Sequence, residues 1–147
     1  MSTSALSKES LAYTYTTVPI FTNTMVGFSN SNTALIVSTT PNTAVPFNAL
    51  SITIANPGVY LCEGNIGYRT NGSYVNVVSS LSTTSATLNT NNQAATVTSG
   101  GAGNISNVQT TSIITISVAN TTLYCVGQSV NDVLSISNGF IKYTRIA

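Results

Sequence analysis

The chain has no histidine, only four basic and three acidic side chains in 147 residues, and only two cysteines. Without histidine, Ser-His-Asp and Cys-His nucleophilic arrangements are excluded outright. The carboxylates are Glu9, Glu63 and Asp132. None lies near another in sequence, and general acid–base work needs two groups to meet over one substrate. A Glu63–Asp132 pair is conceivable, but pairing with Arg69, Lys142 or Arg145, or plain solvation, is the commoner outcome for such residues. Two cysteines without histidine make no structural zinc site, and calcium needs several oxygen ligands, usually carboxylates. The basic residues, Lys8, Arg69, Lys142 and Arg145, are too few and too scattered to track a phosphate backbone. No run approaches the roughly 18 apolar residues of a membrane helix. The expectation is therefore no enzyme, no cofactor or metal, no direct nucleic-acid contact and no membrane.

The stretch MSTSALSKESLAYTYTTVP has no apolar signal-peptide core. The expected site of synthesis and folding is a cytoplasm. There Cys62 and Cys125 default to reduced, buried small hydrophobes, with a cross-strand disulfide as the open alternative.

What fills the sequence instead is Ser, Thr and Asn, together about two-fifths of the chain, against a charged fraction of 5% where about 25% is usual. Disordered chains are generally rich in charge and proline and poor in β-branched residues. This one is rich in Val, Ile and Thr, which suit a pleated surface. The net charge is +1, and surfaces near neutrality tend to associate. Much of the surface is therefore expected to be buried against copies of itself or other proteins.

The chain length fits one domain. Residues 1–17 read as a polar arm that orders on a partner, with Lys8, Glu9, Tyr13 and Tyr15 as its candidate contacts. Residues 18–147 read as the domain. MVGFSN and TALIVS are short strands, STTPNTAVPFNA a loop. Leu50, Ile52 and Ile54 share one strand face. Tyr60, Cys62, Gly64, Ile66 and Tyr68 share a face of the next strand, opposite Val59, Leu61, Glu63, Asn65 and Gly67. Apolar groups on both faces at its start imply cover on both sides. Asn71-Gly72 signals a hairpin returning through Tyr74 to Val78. Residues 79–88 continue as strand. Gly100 to Gly103 marks a loop, and Ile114, Ile116 and Val118 alternate as a strand. Leu123 to Val130 is a strand that echoes Val59 to Tyr68. Val133–Ser137 and Phe140–Ile146 are the last two strands, separated by an Asn138-Gly139 turn. Eight to ten short strands at such spacing indicate a sandwich or barrel. The tyrosines on strands are assigned to core and interface packing.

Three passages carry a resemblance over residues 45–147. They are Gly58-Val-Tyr-Leu-Cys-Glu-Gly64, Ser82-Thr-Thr-Ser-Ala-Thr-Leu88, and the closing pair Leu123-Tyr-Cys-Val-Gly-Gln128 and Gly139-Phe-Ile-Lys-Tyr-Thr-Arg145. Together they resemble a group of small tailed-phage and prophage virion proteins whose shape is similar to the trimeric jelly-roll heads of complement C1q and tumour necrosis factor. The chain departs from that group in its two core-strand cysteines and its single arginine near the end. The resemblance implies an all-β jelly-roll β-sandwich with a short N-terminal arm, forming a homotrimer with one sheet of each subunit packed about the threefold axis. It carries over no catalytic residues. The role it implies is a capsid decoration or cement protein on the virion surface, made in the host cytoplasm and bound to the major capsid protein. The alternative role is the receptor-binding head of a tail or head fibre, with a host-surface glycan as partner and the loop at residues 89–107 as its contact.

Overall fold

A computed structural model of the chain describes residues 25–31, 35–38, 42–70, 76–97, 106–130 and 134–147. The arm at residues 1–17, with Lys8, Glu9, Tyr13 and Tyr15, lies outside them, as do the 71–75 connection and part of the 89–107 loop. The strands are β1 (Val26–Ser31), β2 (Leu35–Ser38), β3 (Val45–Ile54), β4 (Gly58–Thr70), β5 (Asn76–Ser82), β6 (Ala94–Val97), β7 (Ser106–Ile116), β8 (Thr121–Ser129) and β9 (Leu134–Arg145), with one 3-10 turn at Thr90–Asn92.

They form two sheets. The first has the order β1-β9-β4-β7, with β2 also paired to β9, and the second has the order β3-β8-β5-β6. The pairing is nested: β1 and β2 pair with β9, β3 with β8, β4 with β7 and β5 with β6, every pair antiparallel. A long antiparallel hairpin rolled upon itself gives this nesting, with successive strands passing from sheet to sheet. That is the jelly roll, and the protein is an all-β jelly-roll β-sandwich.

The core follows the period-two reading. Tyr60, Cys62, Ile66 and Tyr68 of β4 and Ile141 and Tyr143 of β9 face Leu50, Ile54, Val77, Leu81, Leu123 and Cys125 of the second sheet, all buried. Tyr60 and Tyr143 meet edge to face, ring centroids 5.4 Å apart. The Tyr60 hydroxyl donates to the Asn56 carbonyl at 2.7 Å, so its polar end is satisfied where the chain turns into β4. Each fully buried aliphatic or aromatic side chain of this set contributes about 1.5–3 kcal/mol of transfer free energy. Both cysteines are free thiols within this layer. Burial pushes each of them up to about 12 from 9.0, against a weaker lowering of Cys125 by the Ser79 hydroxyl.

The two echoing segments lie in opposite sheets, β4 and β8, and face each other across the core. Several local expectations are corrected. Asn138-Gly139 is no turn: β9 runs unbroken through it, because its flanks pair with β4, β1 and β2 and not with each other. The expected hairpin about Asn71-Gly72, a dipeptide outside the described residues, does not pair β4 with β5, because β5 belongs to the second sheet and pairs with β6 and β8. Strand β3 begins at Val45, inside the expected loop. Pro46 is tolerated because β3 is the edge of its sheet and its register with β8 shifts between Pro46 and Ser51. Strand β5 ends at Ser82 and the STTSATL passage is a bend, not strand. Val118 falls beyond the end of β7.

That bend is pinned over the side of β5 that faces away from the core. Ser80 Oγ accepts from Asn89 N at 3.0 Å. Asn92 accepts from Leu81 N at 3.0 Å and donates to Leu81 O at 2.9 Å. Its side-chain amide thus continues the ladder past Ser79, the last β5 residue paired with β6. Within the bend, Ala86 is exposed and sits at φ 57°, in the left-handed region that costs a side chain roughly 1 kcal/mol. Ala86→Gly removes that cost and is expected to raise stability by about 0.5 kcal/mol after the added unfolded-state entropy, measured as a higher urea midpoint at unchanged slope.

Candidate functional interface

The two sheets differ in what covers them. On the second sheet the 83–92 segment lies across the outside of β5, and the outward Val126 of β8 is wholly buried outside the main core cluster. Among the described residues, nothing lies over the outward side of the first sheet. Its side chains form four rows across the strands. The first is Val26, Thr144, Leu61 and Ile113; the second is Phe28, Lys142, Glu63 and Thr111. The third is Asn30, Phe140, Asn65 and Gln109, and the fourth is Asn138, Gly67 and Asn107.

The rows grade in chemistry. The first is apolar and open: Val26 is 45% exposed, Leu61 36% and Ile113 64%. In the second, Phe28 is 62% exposed and stacks on Phe140 of the third row, centroids 6.1 Å apart. Beside it Lys142 Nζ meets Glu63 Oε2 at 3.1 Å and lies 5.9 Å from the Phe140 ring centroid. Within these four rows the two charges therefore cancel; the next outward residue of β4, Arg69, is exposed beyond them. In this exposed setting the pair contributes about 0–1 kcal/mol.

Apart from Phe140 and Gly67, the third and fourth rows are carboxamides. Asn30, Asn65, Asn107 and Asn138, with Phe28 and Phe140, line a shallow groove of about 290 Å³. Gly67 sets how closely two of these amides approach the sheet. A Cβ there would run into the Asn138 and Asn107 side-chain oxygens, so the absence of one lets both amides lean over the β4 backbone. The Asn138-Gly139 dipeptide, expected as a turn, is part of the groove lining.

With four strands about 4.8 Å apart and six residue steps of about 3.3 Å from Leu61 to Gly67 along β4, the face formed by the four rows spans roughly 19 by 20 Å. Corrugated by side chains, it is of the order of the ~800 Å² that one partner buries in a standard protein interface. The expected cover on both sides of β4 is corrected accordingly: among the described residues only the Tyr60–Tyr68 side is covered, and Leu61 is open. The sequence-derived partner of Glu63 is found in Lys142. The strand tyrosines 60, 68 and 143 are buried core residues as assigned. Phe28, Asn30, Phe140 and Asn138 were not singled out from the sequence. The signal available was parity with Leu61 and Asn65, which needs the strand register to be read.

Among the described residues no group of three or more His, Cys, Asp or Glu side chains comes together. No protein-family model and no curated protein matches the chain. Among solved structures it is similar to an Eiger tumour-necrosis-factor protein from S. frugiperda, at 17% identity over 69% of each chain and a TM-score of 0.47.

Proposed function

We propose that the protein is a non-enzymatic structural protein of a tailed-phage virion, a homotrimeric capsid decoration or cement protein that stabilises the head by bridging capsid subunits. The observation that carries the self-association is the uncovered outward side of the first sheet, with Val26, Phe28, Leu61 and Ile113 exposed around one neutralised ion pair. An apolar patch of this breadth marks an interaction surface. The hydroxyl- and amide-rich remainder, with a net charge of +1, suits permanent contact with other proteins. The residue 1–17 arm, through Lys8, Glu9, Tyr13 and Tyr15, grips the major capsid protein. Its work is mechanical, burying surface across subunit boundaries against internal DNA pressure.

The reading is tested on empty heads. Deleting residues 1–17, or exchanging Lys8 and Glu9, is expected to abolish decoration while the purified protein keeps the mass of a trimer. Full occupancy by the truncated protein would remove the arm from the account.

A second reading, the receptor-binding head of a fibre, is favoured by the groove alone. Its amides and stacked phenyl rings match the hydroxyl edges and C–H faces of a neutral sugar. Binding of free glycan by the groove, or blocked adsorption in an infection assay, would select it.

A further inference from the structure

We infer that the occupant of the carboxamide groove is the same groove of a second copy of this chain, and that this amide layer sets the direction and register in which copies assemble. The inference rests on the reading that the outward side of the first sheet is where copies meet.

The argument starts from spacing. Residues on one face of a strand recur about every 6.6 Å, so the third row lies about 13 Å from the first. A standard interface of about 800 Å² per partner, roughly 30 Å across, that covers Leu61 and Ile113 also reaches Asn65 and Gln109. The groove and the apolar rows are one footprint, and a small sugar would occupy only one end of it. The groove also has no net charge to neutralise: its lining is amides and phenyl rings, and the neighbouring Lys142 and Glu63 compensate each other.

Polarity then discriminates between arrangements. In a cyclic assembly whose axis runs along the strands, each row meets its own row on the next copy. Apolar side chains meet apolar ones, and carboxamides, which carry both donors and acceptors, meet carboxamides. Turning one copy end for end places Asn30, Asn65, Asn107 and Asn138 against Val26, Leu61 and Ile113. Their amides would then be buried without partners, which is heavily disfavoured. The apolar rows supply attraction without direction, and the amide layer supplies direction. Single buried asparagines act in this way in helical assemblies, fixing register at some cost in stability.

The experiment uses the full chain with Asn65→Cys and Leu61→Cys as separate variants. Both lie on the central strand β4, four residues apart, and the native thiols are buried. The variants are mixed, allowed to exchange and oxidised mildly. Four strand residues span about 13 Å, beyond the ~7 Å Cα limit of a disulfide. Register-matched assembly is expected to give 65–65 and 61–61 links that outnumber 61–65 links by about tenfold. Native mass spectrometry of Asn30→Leu with Asn65→Leu is expected to show continued association but several oligomeric masses in place of one. Predominant 61–65 links, or a single unchanged mass for the leucine variant, would overturn the amide layer while leaving the interface in place. A monomeric wild type would fail the underlying reading as well, and nuclear magnetic resonance shifts of the groove with N-acetylglucosamine would then identify a sugar as occupant.

Discussion

Leu61→Asp combined with Ile113→Asp is expected to convert the assembly to monomers, weakening self-association by at least about a thousandfold, or about 4 kcal/mol. The two side chains are register partners on adjacent strands β4 and β7 and are 36% and 64% exposed in the isolated chain. Their truncation costs the folded monomer little, because neither belongs to the core cluster. In the assembly, each aspartate would be a desolvated charge without a partner, since Lys142, the cation of the neighbouring row, is already held by Glu63, and Arg69, on the same side of β4, lies toward the far end of that strand. Sedimentation velocity at micromolar concentration reads the result, and unchanged circular dichroism shows that the fold survives. Val118→Asp is the control. Val118 is 66% exposed but lies after the end of β7, off the face, and its substitution is expected to leave the mass unchanged. If Val118→Asp dissociates the protein as well, general surface charge is responsible and the first sheet loses its assignment.

The second large effect is alkaline. Cys62 and Cys125 are fully buried, and desolvation raises both thiols from 9.0 to about 12. In the unfolded chain they ionise at the ordinary value. Above about pH 9 the unfolded state therefore holds fewer protons than the folded one, and stability falls as pH rises. The contribution is intact below pH 9 and is lost progressively between about 9 and 12. Each thiol removes about 1.4 kcal/mol between pH 8 and pH 10, so the pair removes about 3 kcal/mol. The Tyr143 phenol is raised in the same direction, by burial first and then by Tyr60 and Cys62. Its part is separated by comparing wild type with Cys62→Ala/Cys125→Ala. The double variant starts less stable because it leaves cavities. Its loss between pH 8 and pH 10 is nevertheless expected to be smaller by about 3 kcal/mol in urea unfolding. Equal pH slopes for the two proteins would show that the thiols ionise in the folded state. The same burial predicts no reaction with a thiol reagent at pH 8 until denaturant is added.

Strand content and the core face of β4 were legible because they depend on local alternation. Tyr60, Cys62, Gly64, Ile66 and Tyr68 share a face wherever that strand is placed. Leu50 and Ile54, two steps either side of Ile52, reached the core by the same rule. The absence of histidine and the scatter of Glu9, Glu63 and Asp132 excluded classical triads before any fold was known. Turn dipeptides misled for a physical reason. Asn-Gly permits a tight turn, but a turn forms only if its flanking strands pair with each other. At Asn138-Gly139 the flanks find β4, β1 and β2 instead, and the glycine lies within continuous β9, beside the register shift between Gly67 and Tyr68.

The sequence by itself determined that this is a low-charge β protein with a tyrosine- and cysteine-bearing core face and no visible catalytic group. Only the tertiary structure decided which strands pair, that the two echoing segments face each other from opposite sheets, and that Leu61, Glu63 and Asn65 lie on an uncovered surface with Phe28, Phe140 and Ile113. Alternation shows that a strand has two unlike faces. Which of them is bare depends on contacts between residues as far apart as Val26 and Thr144, and no local pattern encodes that pairing.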